Sequence, residues 1–551
     1  MKDRQELISS VLDDIEGVTL NEPVTILNEK DKPNALQTAI SVVLEGIEFS
    51  FEVEIYQEYP FQYHENDTIR FINHDYLKFN HVNADGSICI HTTHSPDIFT
   101  KLHKDVVALK AWINRYAIEK TTDNHYEHII LTPRPLERAF SSFLFTQVDH
   151  NFKPDEYGWI GYSLMSKGML NHFESNTYLI QEFVDIEKKC DWNQLYHNLE
   201  HKAGFYYFAD RPPVLKENQR IAVDSWDELN NYFSDSFLDA VYKRKDHKAF
   251  KGQNTIPLLI GYYIDDRRVH WQVALMEKKN LPICGVKNPD TKQYVPQLKS
   301  TEIPWTFTYD NSYDLFFGRG RLSDALIKKP VLILGVGAVG SILAKTLVRG
   351  GLRELSFIDY DKKEPGNVCR SEYPFNSGVR TKIDDLSKLL MEISPFVELS
   401  FSHELTDRIK AQHRTPDWEN KIREFLNEYG LIIDCTTDDD VLYLLNELKP
   451  ETEILSLSIS NGAKELICGV GDNVYQETRN IYNALPKHDI DWFNPTGCWS
   501  PTFTASYNDI SVLVEYAVKH INGVLQRDQS LRSFIVESTW EEGHQMNLKP
   551  F

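Results

Sequence analysis

Two cysteines far apart in the chain lie in settings that favour a reactive thiol, and a glycine-rich loop lies between them. The first closes His81-Val82-Asn83-Ala84-Asp85-Gly86-Ser87-Ile88-Cys89. The second opens Cys498-Trp499-Ser500-Pro501-Thr502-Phe503, and the loop is Gly335-Val336-Gly337-Ala338-Val339-Gly340. A thiol that accepts an activated acyl group, a second thiol that passes it on, and a nucleotide site to activate it would together make a relay. A catalytic cysteine needs thiolate character, access and neighbours that stabilise a tetrahedral intermediate, whereas a buried one is ordinarily a small apolar side chain. The second reading suits Cys190, Cys284, Cys369, Cys435 and Cys468, which stand in apolar or strand-like contexts or beside other motifs.

These residues need elements to hold them. Pro330–Leu334, the glycine turn, Ser341–Gly350 and Leu355–Ile358 read as strand, turn, helix, strand, which is the opening of a doubly wound parallel sheet. Glycines at 335, 337 and 340 let the backbone approach a phosphate, and the following helix supplies unpaired N–H groups. Asp359, about twenty residues on, is placed to accept hydrogen bonds from a ribose. Alone, this pattern most often marks a dinucleotide site, so a nicotinamide oxidoreductase is one reading; NAD would then outcompete ATP.

At the other end, Leu7, Ile8, Val11, Leu12 and Ile15 repeat at helical spacing before Gly17. Val18–Leu27, Ala35–Val43 and Ile47–Tyr56 predict an antiparallel meander. A loop with Tyr59-Pro60-Phe61, an extended Thr68–Ile72, the Cys89 segment and a helix through Val106, Leu109, Trp112 and Ile113 complete an α+β unit, residues 1–135. Residues 136–318 alternate strands (Tyr206–Phe208, Pro257–Ile264, Trp271–Met276) with a helix at Ser225–Phe237. This stretch is too long and too apolar for a tether, so a folded α/β or α+β spacer is expected. Residues 319–551 form the third part.

Composition narrows the function. A chain of 551 residues, 41% apolar and 12% aromatic, is expected to form three domains at about 100–200 residues each. A net charge of -22 argues against a phosphate-backbone surface, hence against nucleic acid as partner. Seven cysteines with no C-x-x-C pair fit a reduced cytoplasm rather than a disulfide framework. The charged N-terminus is unlike a secretory signal, and the longest apolar run, Val331 to Ala344, is short for a membrane span.

The residues beyond the second strand point elsewhere than NAD. Asp359, Asp361, Asn367 and Arg370, then Lys382 and Ile432-Ile433-Asp434-Cys435-Thr436-Thr437-Asp438, resemble the ubiquitin-activating enzymes and their bacterial ThiF/MoeB-type relatives in thiamine and molybdopterin biosynthesis. That resemblance implies a Rossmann-like adenylation domain using ATP and Mg2+. It would set Asp359 on the ribose, Asn367, Arg370 and Lys382 on the phosphates, and an aspartate of 434–438 on magnesium. The family usually has Asp-x-Thr-Asp; an ungapped alignment puts Thr437 at the second Asp, so Asp438 is chosen. Arg319 and Arg321 resemble the family arginine that reaches a partner subunit's ATP, which implies a homodimer. Cys498 resembles the cysteine, in a loop crossing the adenylate, that takes the acyl group from AMP.

A second resemblance, to ubiquitin-conjugating enzymes, rests on Tyr59-Pro60-Phe61, His81-Val82-Asn83 and Gly86-Ser87-Ile88-Cys89. It implies a catalytic Cys89, an Asn83 amide aimed at the oxyanion and a loop-shaping His81, with Val82 replacing the usual proline. The order of the parts is similar to a class of bacterial fusion enzymes of CBASS antiphage defence operons. Their modifier would be a cGAS/DncV-like nucleotidyltransferase joined through its C-terminus to a target lysine or other amine. Transfer between thiols could run in cis or across a dimer. Two further readings stay open: adenylation of a ubiquitin-like or sulfur-carrier protein for sulfur transfer, and a front domain that is only a binding module.

Overall fold

The computed structural model describes residues 2–27, 32–62, 67–121, 129–170, 172–215, 220–265, 267–287, 294–402, 416–487 and 502–551. By internal contacts the chain forms two units, 1–189 with 201–310, and 190–200 with 311–551. No helix among the described residues is long and apolar enough to cross a membrane.

The first unit opens with helix Lys2–Asp14, which buries Ile8, Val11 and Leu12. Leu7, counted in the apolar stripe, is instead 43% exposed. Leu36–Leu44 and Ile47–Ile55 pair antiparallel through a two-residue turn, where Glu45 and Gly46 both take positive φ, the geometry that matches strand twist. Phe49, Phe51, Val53 and Ile55 alternate inward. The extended segment expected over 18–27 splits into Val18–Leu20 and Thr25–Ile26, both on Leu36–Leu44. Pro23 between them has no N–H to give the ladder. Helix Ile98–Trp112 begins earlier than its apolar spacing implies because Asp97 caps it, accepting from Thr100 N at 2.8 Å.

Beyond this lies a mixed eight-stranded sheet whose main path runs Val269–Glu277, Thr255–Tyr263, His201–Phe208, Tyr157–Leu170, Phe173–Phe183, Ala139–Phe145, Phe307–Asp310. Trp271, Tyr206, Phe183 and Phe208 are buried within it. The helix expected over Ser225–Phe237 is two pieces, a 3-10 turn Trp226–Leu229 and helix Asp235–Arg244. Asn230 separates them: its amide donates to Asp227 O and its oxygen accepts from Leu298 N. Such side-chain bonds compete with helix continuation. Arg220, only 6% exposed, donates from Nη1 to Phe79 O at 2.9 Å and so braces the segment leading to His81.

In the second unit, Val331–Leu334 lies between Glu354–Ile358 and Leu431–Asp434, all parallel. The full order is 398–402, 354–358, 331–334, 431–434, 454–460, 465–470, 534–540, 544–550, the last three joined antiparallel. Strand order reverses between 331–334 and 431–434. Such a switch point opens a crevice at the carboxyl ends of the strands. Residues 190–200 belong to this unit: Asn193 Nδ2 donates to the carbonyls of Met391 and Ser394, each at 2.8 Å, and Trp192 stacks on Phe396.

Candidate functional site

At that switch point a cavity of about 280 Å³ gathers Gly335, Gly337, Asp359, Arg370, Lys382 and Asp438. The glycines of the loop do different work. Gly335 has φ +77, and a Cβ there would lie 2.9 Å from Thr436 backbone; one at Gly340 would lie 2.0 Å from Gly335 O. Both let strand, loop and helix close on one another. Gly340 does not line the cavity. A Cβ at Gly337 would meet nothing within 4 Å, so no packing requires this glycine and its open side faces the cavity.

Asp359 is 8% exposed and accepts from Val336 N on one oxygen and Asp361 N on the other, both at 2.8 Å. Burial raises its pKa, while Lys382 and these backbone N–H groups pull it down. Lys382 opens helix Lys382–Ile393, capped by Thr381, and its Nζ lies 2.7 Å from Asp361 Oδ2. A bridge between Lys362 and Thr381 aligns these two ends, and a buried Lys363–Asp385 pair at 2.6 Å braces it. No motif in the sequence announces that pair.

Arg370 projects from the turn Pro365–Arg370 and donates from Nη1 to Thr502 Oγ1 at 2.7 Å. Thr502 and Phe503 also line the cavity. Asn367 does not line it; its Oδ1 accepts from Glu364 N at 2.8 Å and caps its own turn. Arg319 and Arg321 are exposed and outside this cavity. Arg321 pairs with Asp314 at 2.8 Å and Asp324 at 3.4 Å.

Asp438 caps helix Asp439–Leu448, its Oδ1 accepting from Asp440 N at 3.0 Å. Asp434 is 2% exposed, and its Oδ1 accepts from Thr436 N and Oγ1. Burial pushes its pKa up to about 6. Among the described residues no cluster of three or more His, Cys, Asp or Glu could cage a metal. Mg2+ needs no such cage, since one or two carboxylates with the substrate's phosphates suffice; Asp438 on the cavity wall fits that use.

Cys498 lies outside the described residues. Cys89 lies within them, half-buried. Its N–H donates to His81 O and Asn83 N–H to Ser87 O, each at 2.8 Å, around a bridge of Val82 with Ile88. Neither bond uses Val82's own N–H, so both would survive the family's proline. His81 takes φ +60 and packs its ring on Tyr116. The Asn83 amide donates to Ser87 Oγ at 3.0 Å. The neighbour that sequence reasoning passed over is His91, whose Nε2 is 3.6 Å from Cys89 Sγ; the Cys-x-His spacing was its signal. Cys190 and Cys468 are buried.

A model of the ThiF family matches residues 309–458. Among characterised relatives, the chain is 26% identical over 349 residues to the ATP-dependent ubiquitin transferase-like protein Cap2 of Enterobacter hormaechei, covering 56% of this chain and 54% of that one. It is 36% identical over 178 residues to ubiquitin-like modifier-activating enzyme 5 of Caenorhabditis elegans, covering 31% and 37%. E. coli MccB, solved with AMPCPP and MccA, aligns at a TM-score of 0.29 and 12% identity over 41% of this chain and 65% of that one, too weak to bear on the fold. The chain spans about half the length of the curated relatives it matches. It therefore resembles the bacterial ubiquitin-transferase-like proteins, and the ThiF match covers the lining residues from Gly335 to Asp438.

Proposed function

We propose that the chain activates a protein's C-terminal carboxylate as an acyl adenylate, holds the acyl group as a thioester on Cys498, passes it to Cys89, and joins it to a lysine or other amine. The observation that carries this reading is the meeting of the glycine loop, Asp359, Arg370, Lys382 and Asp438 in one cavity at the sheet's switch point. In the first step a carboxylate oxygen attacks the α-phosphorus of ATP and pyrophosphate leaves. Lys382 and Arg370 supply positive charge for the triphosphate, Asp359 accepts from the ribose, and the open side of Gly337 lets a phosphate reach the loop backbone. Mg2+, held by Asp438, would neutralise phosphate charge.

Thr502 lines the cavity and Cys498 is four residues before it. Sulfur attack on the acyl carbon releases AMP. At the second thiol, His81 shapes the loop through its backbone, and Asn83 retains a second amide N–H for an oxyanion beyond the one given to Ser87.

The division of labour follows the three parts: a conjugating-like domain at 1–135, a spacer at 136–318, and an adenylation domain at 319–551. The exposed Arg319 and Arg321 would reach the ATP of a second copy in a homodimer. The chain would work in the cytoplasm, with a cGAS/DncV-like nucleotidyltransferase as modifier. Intact-mass analysis after incubation with ATP, Mg2+ and the nucleotidyltransferase tests this. A reductant-labile adduct is expected; Cys498→Ala should abolish it and keep pyrophosphate exchange, and Cys89→Ala should keep it without product. Normal conjugation by Cys89→Ala would reject the relay.

A further inference from the structure

The segment carrying Cys89 alternates in burial: Ile88 and Ile90 are 5% and 7% exposed, while Cys89 is half-buried and His91 exposed. Residues two apart on such a segment face the same side. The next residue fixes its place. Thr92 Oγ1 donates to Asp105 Oδ1 at 2.5 Å and accepts from Lys101 Nζ at 2.8 Å, which ties the segment to helix Ile98–Trp112. Asp105 also accepts from the buried Tyr59 hydroxyl at 2.9 Å. His91 is thus held by an anchor in the protein, with Nε2 3.6 Å from Sγ, within range of a sulfur hydrogen bond.

We propose that His91 Nε2 is the proton acceptor for Cys89. The step deepens the relay reading and rests on it: the Cys89 S–H proton passes to Nε2, the sulfur attacks the acyl carbon of the Cys498 thioester, and a new C–S bond forms. The bond to Cys498 breaks, and its sulfur leaves as a thiolate that takes a proton from solvent, to which the His91 imidazolium returns the one it received. Thiol and thioester give thioester and thiol, with no other reactant. His91 must be neutral and protonated on Nδ1 for this. Charged and titratable groups on the surrounding elements are His81 and Tyr116, whose rings meet at 4.8 Å, Arg115 over Tyr116, and the Lys101–Asp105 pair with Tyr59. Beyond these lie Asp85 paired with Arg70, His94 against Phe61, and Arg220 on Phe79 O.

The test needs neither ATP nor modifier, so it fails separately from the relay. Iodoacetamide alkylation of Cys89 is followed in the full chain across pH 5–10 by mass analysis of the Cys89 peptide. A proton-accepting His91 gives an inflection below the free-thiol value of about 8.5. His91→Gln should move it up to that value and slow alkylation at pH 7 by about threefold or more. His91→Asn serves as a second variant, and circular dichroism checks that each is folded. A wild-type inflection already at the free-thiol value, or a profile unchanged in both variants, overturns the proposal.

Discussion

Arg370 Nη1 lies 2.7 Å from Thr502 Oγ1, although the two residues are 132 positions apart. The bond joins the turn Pro365–Arg370 to Thr502, and both residues line the cavity. On the proposed reading, one guanidinium would serve both the nucleotide and the segment that carries Cys498.

Removing the hydroxyl with Thr502→Val should separate these two duties. A hydrogen bond to a charged group contributes about 1.5–3 kcal/mol, so thioester formation on Cys498 is expected to fall roughly tenfold or more. Pyrophosphate exchange, which needs the nucleotide and the modifier's carboxylate but no acceptor thiol, should change little. Equal losses in both assays would show that the bond does not position the acceptor segment.

The loop glycines should divide by phenotype. Gly340→Ala drives a methyl into Gly335 O and should cost about 1–3 kcal/mol of stability, read as a lower melting temperature without ligand. Gly337→Ala meets no protein atom within 4 Å and should weaken ATP binding by calorimetry more than it lowers the melting temperature.

Asp434 makes stability depend on pH in an unusual direction. Its pKa is about 6 in the fold because of burial, against about 3.9 in an unfolded chain. A carboxyl that binds its proton more tightly when folded gives its full contribution below about pH 4 and loses it as pH rises through 6. The difference is on the order of 3 kcal/mol by pH 7. Asp434→Asn should flatten the decline in melting temperature between pH 4 and 6 and raise it at pH 7.

Arg220, whose carbonyl accepts from Ile130 N, ties that segment to the approach of His81. Arg220→Met should leave Phe79 O without its donor, at about 1–3 kcal/mol for an orphaned buried group. Hydrogen exchange over residues 79–89 should rise, while pyrophosphate exchange stays as in the unaltered chain.

Structure was legible in the sequence wherever it was local. The strand, glycine turn and helix at 331–349 follow from a buried apolar run and the glycine spacing, and the 36–55 hairpin follows from alternation. Long-range relations were not. Nothing in the type of Thr502 announces Arg370, and Arg220 reads as a surface cation until its carbonyl partner is known. Ser225–Phe237 misled because apolar spacing is blind to an asparagine that spends its side chain on Asp227 and Leu298. Asn367 illustrates a further limit: motif position suggested a phosphate contact, whereas its side chain closes its own turn.

The chain crosses between its two units three times, since residues 190–200 fold with 311–551. A gene fragment starting at 311 would therefore leave the carbonyls of Met391 and Ser394 without Asn193 and uncover the face of Phe396 that Trp192 shields. Supplying 190–200 as a separate peptide, or splicing it ahead of 311, is the dissection that keeps this second unit whole.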